Sequence, residues 1–221
     1  MHRLATLVEA LAISCAAHAQ TALREIDRTL LAAAERGDAA AVRRLLADGA
    51  SVRSQDAQGR TALLTATYAN KPDVARILIA AGADVNTQDQ MLNSAYLLAG
   101  ARGHLEILRM TLAAGANLKS TNRFGGTALI PACHYGHVET VRELLKTSID
   151  VDHYNRLGWT ALLETVILGD GGPAHLEIAR LLLARGAGVN LADHQGVTPL
   201  QHARQRGQRE MATVLESAGG R

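Results

Sequence analysis

The chain has 221 residues and a formal net charge of +2, with 48% hydrophobic, 20% charged and only 3% aromatic side chains. That balance suits a soluble folded protein with a core of alanine and leucine, and the small net charge gives no electrostatic case for nucleic acid. No uncharged apolar run of about 18 residues, the length a membrane-spanning helix needs, occurs after residue 30, so no internal membrane span is expected.

Residues 1–20 read "MHRLATLVEALAISCAAHAQ". A basic start at Arg3, an apolar stretch and the small-x-small site Ala17-His18-Ala19 predict a signal peptide over 1–19 and a mature chain from Gln20. The protein is then periplasmic or secreted. Two alternatives stay open. Glu9 inside the apolar stretch fits an amphipathic helix of a cytoplasmic protein, and Ala12-Ile13-Ser14-Cys15 faintly resembles a lipoprotein site without its usual leucine. The two cysteines, Cys15 and Cys133, form no metal or redox motif, and removal of the leader leaves Cys133 without a disulfide partner.

After a lead-in over 20–27, the chain repeats. "TALLTATYAN" from Thr61, "SAYLLAGARG" from Ser94, "TALIPACHYG" from Thr127, "TALLETVILG" from Thr160 and "TPLQHARQRG" from Thr198 are spaced by 33, 33, 33 and 38 residues. Each Thr or Ser is suited to cap a first helix, because its oxygen takes a free backbone N–H. A turn follows, as at Gly103-His104 and Gly136-His137. The second helix carries an apolar stripe, such as Val74, Ile77 and Leu78 or Val141, Leu144 and Leu145. Gly49, Gly82, Gly115 and Gly186 end it, and Ser148 stands in that place in the fourth unit, at an expected cost of about 1 kcal/mol. Asp56, Asp89, Asn122, Asn155 and Asp193, five residues before each Thr or Ser, begin an Asx-x-x-Gly β-turn between units. Leu92 replaces the turn glycine between units two and three, which leaves that turn the least secure.

These positions, in register throughout, resemble the ankyrin repeat family over residues 28–221. "GGTALIPA" and "LGWTALLE" are similar to a bacterial subgroup. The resemblance implies an all-α solenoid of about six stacked helix-turn-helix units joined by β-turns, over 28–60, 61–93, 94–126, 127–159, 160–197 and 198–221. Gln201, Arg204, Gln205, Gln208, Arg209 and Glu210 make the last unit a polar cap. The family's proline is matched only by Pro199. Its histidine place holds Leu64, Leu97, Ile130 and Leu163, so the bonds that histidine makes must be absent or replaced.

Unit five is longer. In "LGDGGPAH", Gly169 takes the place of Gly103 and Gly136, and His175 that of His104, so 170–174 read as an insertion in the inter-helix turn. A phosphate loop would need a preceding strand and usually a following lysine, and neither is present. Cys133, His134 and His137 suggest a metal cluster, but Cys133 stands where other units have Thr67, Gly100 and Val166, which predicts a small buried residue and no metal. Glu164 and Asp170, the nearest candidates for acid–base work, read as exposed helix and loop positions. No catalytic residue and no cofactor are expected.

The resemblance implies a non-enzymatic scaffold that binds another protein. Its concave face would be built from the β-turn tips and the exposed side of each first helix. Tyr68, Phe124, Tyr154 and Trp159 fall on such positions, with Arg123 and Arg156 at neighbouring tips and His134 seven residues after Thr127. These seven are the expected partner-binding residues, since Trp, Tyr and Arg dominate binding energy in interfaces. Trp159 is expected to be exposed. Tyr135 lies next to such a position, and Tyr96 alone reads as core. The chain is expected to act as a monomer. Nucleic acid is not expected, because Arg123 and Arg156 are too few for a basic stripe. The alternative is a regulatory, stress or toxin-immunity accessory protein with an unidentified target.

Overall fold

The structure, a computed structural model, describes residues 24–221. The expected leader and its cleavage point lie outside the described residues. Six helical hairpins follow one another: α1 (Glu25–Arg36) and α2 (Ala39–Ala47), α3 (Ala62–Tyr68) and α4 (Pro72–Ala80), α5 (Ala95–Arg102) and α6 (Leu105–Ala113), α7 (Leu129–His134) and α8 (Val138–Leu144), α9 (Ala161–Ile167) and α10 (Pro173–Ala184), α11 (Pro199–Gln205) and α12 (Arg209–Ser217). Among the described residues there is no β-sheet, only an isolated bridge between Gln55 and Thr61. This is the all-α solenoid that the period predicts. α1 starts within the stretch read as lead-in.

The first helices stack in one row and the second helices in another. Leu63, Leu97, Leu129 and Leu162 bury between neighbouring units, with Tyr96 fully enclosed as its position predicts. A Cβ on Gly100 would lie 2.8 Å from Ala128 Cβ, so α5 and α7 approach at a distance that requires glycine. Thr61, Ser94, Thr160 and Thr198 cap their helices by accepting the N–H three residues on. Thr127 does not, and α7 starts only at Leu129. Elsewhere Thr65, Leu98, Glu164 and His202 donate their N–H to the cap carbonyl, but Pro131 at that place has none to donate. In the last unit Gln201 Oε1 accepts the Thr198 N–H at 2.9 Å and completes a capping box.

The turns explain the recurring Asp or Asn. Oδ1 of Asp56, Asp89, Asn122, Asn155 and Asp193 accepts the N–H groups two and four residues on, at 2.8–3.1 Å. The turn at Leu92 forms like the others, with its N–H donated to Asp89 O at 2.9 Å. Leu92 takes the left-handed φ of 57° that glycine takes elsewhere. That conformation costs a non-glycine residue roughly 1–2 kcal/mol.

Two expectations are corrected. Ser148 does not adopt a left-handed backbone. α8 stops at Leu144, and the N–H groups of Lys146 and Thr147 turn back to Glu143 O and Leu144 O, so no glycine is needed there. In unit five the left-handed glycine is Gly171 (φ 71°), not Gly169, and α10 starts at Pro173, giving it 12 residues against nine in α4 and α6. The inserted residues are therefore partly helix. Asp170 Oδ1 accepts the Gly172 N–H at 2.8 Å and lies 2.8 Å from His175 Nδ1. Gln208 of the last unit donates to Val166 O and Gly169 O, tying the loop to the stack.

Candidate functional site: a groove along the turn tips

The turn tips and first helices of the middle units enclose an open groove of about 940 Å³. Its outer wall is a column of turn-tip residues, each three before its Thr or Ser: Met91, Phe124 and Leu157. Its inner wall comes from α5, α7 and α9. Helical periodicity sets positions four and eight residues after the cap on one side, which brings up Leu98, Pro131 and Glu164, then Arg102, Tyr135 and Leu168. Met91, Phe124, Tyr135, Leu157 and Leu168 are exposed, Phe124 at 55%.

Tyr68, Arg123, Phe124, His134 and Trp159 all line this groove. Tyr68 is held at one end, its hydroxyl donating to Asp89 Oδ2 at 3.0 Å and accepting from Asn93 Nδ2 at 2.8 Å. The Arg123 guanidinium lies 4.7 Å over the Phe124 ring, and that of Arg102 lies 5.1 Å over Tyr68. Neither arginine forms an ion pair with a described residue. His134 stacks on Tyr135 with ring centroids 4.2 Å apart.

Tyr154 and Arg156 do not line the groove. The Tyr154 hydroxyl donates along the stack to Ala192 O at 3.2 Å, and Arg156 turns back to donate to Arg123 O at 2.7 Å. Trp159 is partly buried, not exposed as its turn position suggests. Cys133 is fully buried in the core, away from a metal arrangement with His134 and His137. Burial pushes its thiol pKa far up. Among the described residues no three His, Cys, Asp or Glu side chains are placed to hold a metal ion.

Glu164 is the largest correction. It is only 8% exposed, on the groove floor, where the sequence suggests a helix surface. Burial raises its pKa to about 7, against the lowering effect of Asn155, whose Nδ2 donates to Oε2 at 2.9 Å. His134 Nδ1 is 3.6 Å from Oε1, too far for a hydrogen bond. Burial moves the His134 pKa down, so the two form a contact and not an ion pair. Asp170, by contrast, is exposed as expected.

Met91, Leu98, Arg102, Leu157 and Leu168 were also not legible as single residues. A signal existed in the column three before each cap, which reads Gln58, Met91, Phe124, Leu157, Gln195 and is apolar only in the middle units.

The family model for ankyrin repeats (three copies) matches residues 2–89 and 96–193. The chain belongs to the ankyrin repeat family. A 57-residue stretch is 47% identical to YahD of Escherichia coli (strain K12), covering 26% of this chain but only 28% of that protein's length. An ankyrin repeat domain from Acinetobacter baumannii AYE superposes with a TM-score of 0.84 at 53% identity, over 87% of this chain and 98% of that one. The ankyrin repeat protein EF0377 gives 0.83 at 38% identity, over 88% and 98% of the two chains. The ankyrin repeat domain of Bcl-3, a member of the IκB family, gives 0.78 at 29%, over 87% and 86%. Domains of this family generally mediate protein–protein interaction and are typically non-enzymatic scaffolds. Among the described residues no helix is long and apolar enough to cross a membrane.

Proposed function

We propose that the protein is a monomeric, non-enzymatic scaffold that binds a partner protein along the groove between Met91, Phe124 and Leu157 and helices α5, α7 and α9. One observation carries this reading. Five of the seven large apolar side chains exposed among the described residues, Met91, Phe124, Tyr135, Leu157 and Leu168, gather in this one groove. Gathered apolar exposure of this kind marks an interaction surface, whereas single exposed residues do not. Phe124 and Arg123 are the outermost anchors and Trp159 a partly buried one.

A photo-crosslinking residue at position 124 tests it in the natural host, with one at position 109 on the outer helices as control. The expected result is a discrete protein adduct from position 124 and none from 109. Equal labelling from both, or labelling from 109 alone, would remove the groove from consideration. The leader reading puts this binding outside the cytosol. A mature N-terminus at Gln20 would support it, and Met1 intact in the cytosol would oppose it.

A further inference from the structure

Glu164 opens onto the groove with one oxygen held and the other free. Oε2 has Asn155, while Oε1 has only the long approach of His134. The glutamate side chain keeps 10% of its surface exposed, so Oε1 can be reached from the groove. A buried carboxylate without a counter-charge destabilises the fold. The repeat itself does not require an acid here, since the same position is Leu98 and Pro131 in the two preceding units. In the last unit it is His202, which lies 2.7 Å from Asp193 Oδ2 and so has an acidic partner. Among the described units only unit five has an acid at this position, and no cation lies beside it. Asp89, also buried without an ion pair, is instead held by the Tyr68 hydroxyl and two backbone N–H groups.

We infer that Glu164 is the socket for a cationic side chain of the partner protein, a lysine or arginine flanked by apolar residues. The inference rests on the groove being the binding face. The aliphatic stem of the incoming residue runs along Trp159, Leu157 and Leu168, and its charged head meets Oε1. Long cationic side chains suit such a site because the stem is apolar and only the tip is charged. Arg102 and Arg123 also line the groove and would favour an acidic partner. They are weaker arguments, because solvated guanidinium groups lose little when unpaired, whereas a desolvated carboxylate loses much.

Entry of a cation would displace the carboxyl proton. The groups facing Glu164 are His134 and Cys133 from α7 and Asn155 from the turn, with His104, His137, Arg102 and Arg123 farther along the groove. Burial lowers the pKa of all three histidines and raises that of the thiol, so Glu164 is the group that titrates near pH 7.

A displayed library of short random peptides tests the inference, selected at pH 8 against the full chain, Glu164→Gln, and the double variant Phe124→Ala/Leu157→Ala. The wild-type chain is expected to select peptides with one lysine or arginine between apolar residues at a constant spacing. Their synthetic forms should change the fluorescence of Trp159, the one tryptophan of the chain. Binding should weaken about tenfold from pH 8 to pH 6, as protonation of a group with a pKa near 7 requires. It should weaken about tenfold or more on Glu164→Gln, or when norleucine replaces the lysine. Peptides that need Phe124 and Leu157 but carry acidic or no charge, or that bind Glu164→Gln equally well, would end the cation socket and leave the groove as the binding face. Peptides retained equally by the double variant, or no enrichment at all, would overturn both.

Discussion

The outer helices and the groove treat charge in opposite ways. On the outer helices Arg76, Arg109 and Arg142 each reach a glutamate of the next unit, Glu106, Glu143 and Glu177. In the groove Arg102 and Arg123 lie over aromatic rings without a carboxylate, and Glu164 is buried with an amide as its one hydrogen-bonding partner. A repeat fixes the geometry between neighbours, so a charge placed at one position finds its partner unit after unit. Groove charges break that pattern. Charges paired within the stack belong to the stack, and those left over are available to whatever it meets.

Glu164 offers the largest test of that contrast. Its folded pKa of about 7 stands above the ordinary 4.5, so the folded state holds the proton more tightly than the unfolded one. Stability therefore falls as pH rises from about 4.5 to about 7 and stays lower above that window. Glu164→Gln keeps the shape and loses the charge. The variant should match the wild type near pH 4 and exceed it at pH 8 by up to about 3 kcal/mol, the free-energy equivalent of the shift. Urea denaturation at both pH values measures this. A variant less stable at pH 8 would show that the carboxylate is a satisfied structural group, and the contrast would lose its main support.

Next in size is the turn-tip column. Phe124→Ala and Leu157→Ala should each weaken partner binding by about 2 kcal/mol, the scale of a hot spot, while changing stability by no more than about 0.5 kcal/mol. Trp159→Ala is a poorer probe because the indole is partly buried, and it should lower affinity and melting temperature together. Titration and thermal melts of the three variants separate the two roles. If Phe124→Ala melts early and binds normally, the column is packing.

Much of this was legible in the chain. The threonine period located the hairpins, and the Asp or Asn five residues earlier located the turns, because each such residue has a backbone task that recurs. Tyr96 was legible as core by its place between caps and leucines. Glu164 was not, since one acid on a helix looks the same whether it faces water or a groove floor closed by Asn155 and Trp159. Tyr154 and Arg156 are exposed as turn-tip residues, but position along a turn does not show whether a side chain faces the groove or bonds to the adjoining turn. The Gly169 assignment followed from counting alone. Pro173, suited to the first position of a helix, was the better signal that α10 starts early and that Gly171 makes the turn.

Leu92, next to Met91 in its turn, is exposed and holds a backbone conformation that disfavours its side chain. Leu92→Gly should raise stability by about 1 kcal/mol, because the turn bonds to Asp89 are already formed and only the strain is removed. The gain is less than the full strain, since glycine also gives the unfolded chain more freedom. Equilibrium denaturation checks the stability and a peptide titration checks the affinity. Improved stability with weaker binding would place Leu92 among the contact residues. A loss of stability would mean that its half-exposed side chain packs well enough to offset the strain.

The smallest effect should come from the face that looks most heavily bonded. Arg109 lies 3.2 Å from Glu143 Oε2, but Lys146 holds the same oxygen at 2.9 Å. Lys146, and to a lesser degree Arg109, keep the Glu143 carboxyl below the usual range. Arg109→Ala therefore leaves Glu143 with a cation. Exposed pairs of this kind contribute little, because ordering two long side chains offsets the attraction and salt screens what is left. The expected loss is roughly 0.5 kcal/mol or less, fading in about 1 M salt, where charges interact only over some 3 Å. Partner affinity should not change. A loss well above that, surviving high salt, would mean that the outer ion pairs are structural fasteners. A loss of affinity would mean that the partner reaches around the stack and that the outer face is not reserved for its own neighbours.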